Sequence, residues 1–145
     1  MQQLGVIPQK VIALDVGERR IGVALCDMKS RLPHPLSAIL NGPTVAKDIQ
    51  ALIAEHAADA LVVGLPRGLE GQETRQTAAV RLFVEVTVAP AVSVPIYWQD
   101  EAATSLQAEA ELRQSGRHYK KGDVDSLSAT YILEDFVREQ TQGQA

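Results

Sequence analysis

Two uninterrupted apolar runs, Val11–Leu14 (VIAL) and Ala60–Val63 (ALVV), each stop at a break, Asp15-Val16-Gly17 after the first and Gly64-Leu65-Pro66 after the second. A strand with one wet face alternates apolar and polar residues. An unbroken apolar run has no wet face, so both runs specify central strands of a sheet covered by helices on its two sides. Ile21–Asp27 follows a tight polar turn, Gly17–Arg20, and predicts a hairpin partner for the first strand. Pro35–Leu40 predicts a third, outer strand. Thr44 is placed to cap a helix in which Val45, Ile49, Leu52 and His56 share one face. A second helix, Glu73 to Val88, is expected to turn Ala79, Leu82, Phe83 and Val86 inward and to end before Pro90. Val94–Trp98 predicts a short strand whose Pro95 suits an edge or a strand start. Helices at Thr104–Ser115 and Val124–Glu139 follow, separated by a polar segment from Gly116 to Gly122. A meander followed by alternating strands and helices gives an α/β fold: a five-stranded mixed sheet with helices on both faces. One domain over residues 1–145, with a core from about 10 to 138 and short flexible termini, accounts for the whole pattern.

Composition narrows the functions. A chain of 145 residues, 46% of them hydrophobic, buries a real core, and 22% charged residues without a like-charge block do not describe a disordered segment. The balance of 14 Lys and Arg against 18 Asp and Glu, net −4, excludes a molecule that coats nucleic acid by bulk positive charge. Contact with a polyanion must be local or bridged by metal. The single cysteine, Cys26, has no internal disulfide partner and lies in an apolar stretch where a buried thiol is ordinary. The first ten residues lack the pattern of a secretory signal, and no apolar run is long enough to cross a bilayer, so a soluble, cytoplasmic protein is expected. A monomer is the default oligomeric state, with a dimer expected if the substrate has two-fold symmetry.

In sheets of this kind the strand carboxyl ends share an edge where ligands bind, and three acids reach it. Asp15 closes the first buried strand, and Glu101, next to Asp100, closes the last. Asp125 shares a helix face with Ala129, Ile132 and Phe136 and so faces the sheet. Each has a plainer reading when taken alone: Asp beside Gly starts turns, Glu101 could begin a helix, and an acid in a first helical turn interacts well with the helix dipole. Asp123 sits where a helix cap would and points away. Together, though, the three need a counter-ion, because two unit charges about 4 Å apart repel by roughly 4 kcal/mol at an effective dielectric of 20. Oxygen-only ligands select Mg²⁺ or Mn²⁺, and no Cys/His spacing here would hold zinc. Acids holding a pair of divalent ions suit in-line displacement at a phosphodiester.

The blocks Val11–Ala24 (VIALDVGERRIGVA), Leu61–Pro66 (LVVGLP), Asp100-Glu101 and Lys121–Leu127 (KGDVDSL) resemble, in this order, the YqgF/RuvX family of Holliday junction resolvase-like proteins and pre-16S rRNA processing nucleases. The resemblance runs from about Val11 to Val137. It implies a ribonuclease H-like fold, catalytic and metal-holding roles for Asp15, Glu101 and Asp125, a two-ion Mg²⁺ or Mn²⁺ site, and a substrate that is pre-rRNA or branched DNA, with ribosomal assembly particles as further partners. The chain departs from the family just after Glu101, where Ala102 stands in place of the usual arginine.

Basic residues fit a polyanion locally. Arg19 and Arg20 project from the turn after Asp15, and Arg117, His118, Tyr119, Lys120 and Lys121 crowd the segment before Asp125, a composition that tracks phosphates and stacks bases, or simply meets solvent. Arg67 and Thr74 flank the turn after Gly64 as weaker candidates. Trp98 could stack a nucleotide, although core packing is the reading preferred for it. His34 and His56 are read as structural. The expected activity is metal-dependent hydrolysis of structured nucleic acid, foremost the 5′ end of pre-16S rRNA, with branched DNA second and non-catalytic RNA binding as the alternative of another class. Asp15-Val-Gly17 also resembles the phosphate-loop opening of actin-like kinases, but those need two lobes around ATP and this chain is too short for both.

Overall fold

A computed structural model describes residues 7–101, 114 and 121–142. Five strands, β1 (Lys10–Val16), β2 (Arg20–Asp27), β3 (His34–Leu40), β4 (Ala60–Pro66) and β5 (Ile96–Glu101), form one sheet in the order β3-β2-β1-β4-β5. The two apolar runs lie side by side as parallel neighbours β1 and β4, Leu14 in register with Val63, so both are walled in by further strands and by helices. β2 pairs with β1 antiparallel, as the polar turn predicts, and β5 extends the parallel part. β5 begins just after Pro95 and is an edge strand, where a missing N–H does least harm.

The helices α1 (Val45–His56), α2 (Arg75–Phe83) and α3 (Lys121–Gln142) cover the sheet. One face of the sheet, carrying Ile12, Leu14, Ile21, Val23, Leu61, Val63 and Leu65, packs on Val45 and Ile49 of α1 and on Val80 of α2. The other face carries small residues, Ala13, Ala24 and Ala60 beside Val11, Cys26 and Val62, which let α3 settle close with Ala129, Ile132, Leu133, Phe136 and Val137. Cys26 is buried here, as its setting predicts, and burial pushes its thiol pKa up. No described helix is long and apolar enough to cross a membrane.

Three sequence expectations need correction. Beyond α2 the chain continues as a wider π-helical turn (Val84–Val88) and a 3₁₀ turn (Ala89–Ala91) that takes up Pro90. The inward stripe is Thr77, Val80, Val84 and Val88, whereas Leu82 and Val86 are exposed and Phe83 only half-buried. The apolar residues here permit more than one stripe, and polar bonds choose between them. Thr74 Oγ accepts from the Thr77 N–H (3.3 Å), Thr77 Oγ accepts from the Thr74 N–H (2.9 Å), and the fully buried Thr77 hydroxyl donates to the Pro66 carbonyl. This capping box fixes the rotation of the helix. Thr77→Val is accordingly expected to cost about 1–3 kcal/mol, visible as a lower Tm. Secondly, Thr44 begins α1 but gives its hydroxyl to Asp48 Oδ2 (3.1 Å) and makes no side-chain bond to the helix backbone. Thirdly, Trp98 is 40% exposed with Arg81 over its ring, 5.5 Å from the centroid, and it is Tyr97 that packs inward on Phe136 (ring centroids 5.5 Å apart). The alternation of β5 sends Tyr97, Gln99 and Glu101 toward α3 and Trp98 and Asp100 to the other side. The helix expected at Thr104–Ser115 lies, apart from residue 114, outside the described residues. Asp123 falls inside α3 and does not precede it.

Candidate active site

The site is built by strand alternation. Asp15 belongs to the set Val11, Ala13, Asp15 that faces α3, and the register places it opposite Gly22 of β2. One step beyond the Leu14–Val63 pairing, its other neighbour is Gly64 of β4, which pairs in turn with Gln99 of β5. A carboxylate therefore stands between two residues without side chains, and the other two acids fill the room. A Cβ on Gly64 would lie 2.9 Å from Glu101 Oε2 and 2.3 Å from Ile132 Cδ1. The Glu101 carboxylate thus leans back across Gly64 toward Asp15. A Cβ on Gly22 would lie 1.9 Å from the main-chain oxygen of Asp125, so the first turns of α3 rest directly on β2. Ser126 Oγ, buried, accepts the Val23 N–H (3.3 Å) at the point where the β2–β3 register shifts, and ties the helix down.

The backbone thus brings Asp15, Glu101 and the start of α3 with Asp125 to one corner of the sheet. The Asp15 carboxyl is held well above the usual carboxylate range, first by its removal from water, then by the negative charge of Glu101, by the hydrogen bond a protonated Asp15 donates to Glu101, and by the charge of Asp125. Crowded like charges with too little solvent raise a carboxyl in this way. Asp125 faces a countercharge: Arg20 Nε stands 3.4 Å from its Oδ2. The donors are carboxylate oxygens, the chemistry of hard divalent ions, and Asp15, Glu101 and Asp125 would be the residues to hold one. In the described arrangement no group of three acidic, His or Cys side chains is already gathered as a ligand cage, since Asp125 is turned to Arg20.

The predicted phosphate contacts separate. Arg20 is in the acid cluster and Arg19 is exposed in the adjoining turn. Arg67 is on the far side of β5, bonded to Asp100 (3.0 Å) and close to Glu73 (3.5 Å), which Arg81 also binds and whose carboxyl is held low by that guanidinium first. These surface ion pairs tie the segment after β4 to the end of β5 and to the residues just before α2. Lys120 lies outside the described residues, as do Arg117, His118, Tyr119, Ala102 and the side chain of Lys121. Among the histidines, His56 pairs with Glu55 (3.3 Å) and His34 is exposed on β3. Sequence reasoning missed Gly22, Gly64 and Ser126. The glycines carried a signal, each being the break in an apolar run at the level of Asp15, and Ser126 carried none.

Comparison with known proteins places the chain in a family. Residues 9–139 match the RuvX family, described as Holliday junction resolvase. A protein of Roseiflexus sp. (strain RS-1), named "Putative pre-16S rRNA nuclease", is 39% identical over 92% of this chain and 96% of its own length. One from Chloroflexus aggregans with the same name is 38% identical over 89% and 93%. Among solved structures, T. thermophilus RuvC in complex with a Holliday junction substrate superposes with a TM-score of 0.58 at 14% identity, covering 92% of this chain and 97% of that one. That likeness shows the ribonuclease H-like fold. With a match across nearly all of its length and relatives at this level of identity, the chain belongs to the RuvX family of nucleases.

Proposed function

We propose that the protein is a divalent-ion-dependent nuclease that trims the 5′ end of pre-16S rRNA, with Asp15, Glu101 and Asp125 as the catalytic and ion-holding acids. The observation that carries this reading is the placement of Asp15 between Gly22 and Gly64, with the Glu101 carboxylate leaning over Gly64 and the Asp125 backbone resting on Gly22. A stable protein retains such a cluster where an ion completes it. Mg²⁺ or Mn²⁺, bound there as a pair, would supply an activated water and stabilise the leaving oxygen. The chain's own part is to fix the acids on rigid strands and a docked helix, and to present Arg19 and Arg20 to the phosphates. Lys120 and Lys121, basic residues close in sequence to Asp125, are proposed as further phosphate contacts. With a net charge of −4, these local cations and the ions must do the work of attraction.

The names of the similar proteins support rRNA as the substrate. The family's description supports a second reading, cleavage of four-way DNA junctions. Incubation with a pre-16S 5′ leader and with a four-way junction, each with Mg²⁺ or Mn²⁺ and with EDTA, decides between them. We expect ion-dependent shortening of the RNA and at least tenfold slower cutting of the junction. Salt-dependent RNA binding without turnover would instead make the protein a non-catalytic assembly factor, and junction cutting alone would make it a resolvase.

A further inference from the structure

Arg20 and Asp125 face each other from anchored backbones. Arg20 opens β2 in register with Leu40, and its carbonyl accepts the Gly17 N–H (3.0 Å). Asp125 is pressed against Gly22, and the next residue, Ser126, holds Val23. Only the two side chains can swing. They make a single contact of 3.4 Å, monodentate through Nε, with side chains 29% and 25% exposed. Such a pair holds less firmly than the two-pronged geometry guanidinium and carboxylate can reach. Arg67 is bonded to Asp100 and close to Glu73, Arg81 is bonded to Glu73, and Arg19 is out in the turn. Among the described residues Arg20 thus touches the acid corner through Asp125, whose carboxylate must turn from it to serve as a ligand beside Asp15 and Glu101.

We infer that Arg20 is a displaceable counter-ion: it neutralises Asp125 while that carboxylate is not a ligand, and once released it donates to a phosphate of the nucleic acid. The inference rests on the proposed function and deepens it. Arg20 changes partner without leaving the site, because a side chain rooted beside Gly22 can reach both Asp125 and the open edge of the sheet. Its preference follows charge. Divalent charge on the carboxylates weakens their hold on the guanidinium, and the phosphodiester is then the uncompensated anion nearest to it. Ion binding and nucleic-acid binding become coupled through one residue, and such coupling is reciprocal. Without the ion Arg20 is unavailable to RNA. The protein should therefore hold RNA poorly until it is able to cut it.

The test compares wild type, Arg20→Gln, Arg20→Lys and Arg19→Gln, all checked for folding by thermal melts. Mn²⁺ uptake without RNA is measured by calorimetry, and affinity for the pre-16S leader is measured in EDTA and in Ca²⁺, a hard ion used as a binding stand-in. Arg20→Gln should tighten Mn²⁺ binding by about three- to tenfold, and weaken RNA binding about tenfold in Ca²⁺ but less than twofold in EDTA. Arg19→Gln should weaken RNA binding equally in both and leave Mn²⁺ affinity within twofold, which separates the specific pair from a general field effect. Arg20→Lys, which keeps the charge but not the fork, should fall between. In wild type, the Arg20 Nε–H resonance should move on Mg²⁺ addition without RNA. Arg20→Gln behaving like Arg19→Gln, or an Nε–H signal unmoved at saturating Mg²⁺, overturns the inference while leaving the nuclease reading intact. Absence of ion uptake and of cleavage in wild type overturns that reading itself.

Discussion

Asp15→Asn is expected to abolish cleavage, with a loss of at least about a thousandfold in kcat, while metal-free protein melts at the same temperature as wild type or higher. Asparagine keeps the volume and one acceptor oxygen but removes a charge whose ionisation the site opposes. Loss of activity is expected because an amide is a poor ligand for a hard dication and cannot hold the negative charge on which the pocket's ion affinity depends. The gain in stability follows from linkage. The folded-state pKa of Asp15 is raised above its unfolded value of about 3.8 by burial and by Glu101 and Asp125. A group of this kind contributes stability fully present below the unfolded pKa and lost as pH rises through the folded one. In the absence of divalent ions, wild type should therefore lose stability relative to Asp15→Asn as pH is raised above about 4, and the difference should level off only above the raised folded-state pKa. Melts across that range in EDTA read it directly. The gap should close or reverse when Mn²⁺ is added, because only wild type gains from binding the ion. A variant that melts several degrees below wild type in EDTA at pH 7 would make Asp15 a structural residue and the cluster something other than an ion site.

Gly22→Ala should be the most damaging single methyl in the protein. The added carbon would sit 1.9 Å from the Asp125 carbonyl oxygen and 2.8 Å from the Ser126 nitrogen, both backbone atoms of a helix that cannot yield locally. Either α3 moves off the sheet or β2 bends, and both loosen the packing of Ala129, Ile132 and Leu133 on this face of the sheet. We expect a cost of about 2–3 kcal/mol or more, at the upper end for overpacked cores, with loss of cleavage because Asp125 leaves the corner. Gly64→Ala is the informative contrast. Its methyl would meet the ends of two side chains, Ile132 Cδ1 at 2.3 Å and Glu101 Oε2 at 2.9 Å, which can rotate away. Its Tm should fall less than half as far, yet activity should drop steeply, since Glu101 would be turned from Asp15. Chemical denaturation and cleavage assays on the two variants separate the contributions. Equal Tm losses would mean that the close approach of α3 is not what Gly22 provides.

How much of this could be read from the chain follows from which interactions are local. The two apolar runs announce strands buried on both sides because that pattern has one economical solution, and alternation along them is enough to put Asp15 on a definite face. The 3.6-residue period does the same for Asp125 above Ala129, Ile132 and Phe136. Failures occur where a long-range polar bond decides. The rotation of α2 depends on the Thr77 hydroxyl reaching the Pro66 carbonyl, eleven residues back, and no period within the helix encodes that. Trp98 and Tyr97 are adjacent aromatic residues, and which of them enters the core depends on the register of an edge strand. Arg67 looks like a free cation until the fold brings Asp100 and Glu73 beside it. The glycines were legible as interruptions but not as the floor of the site, because their meaning lies in what approaches them.

The same helix, α3, seals one side of the sheet and carries Asp125. Detachment of that helix would strip Val11, Ala13 and Val62 of their cover at the moment it dismantles the acid corner. Such a subglobal opening leaves no partially assembled yet intact acid corner: a molecule breathing in this way is at once vulnerable to proteases and without the proposed site, so a nuclease that has begun to come apart disarms itself before it can attack nucleic acid indiscriminately.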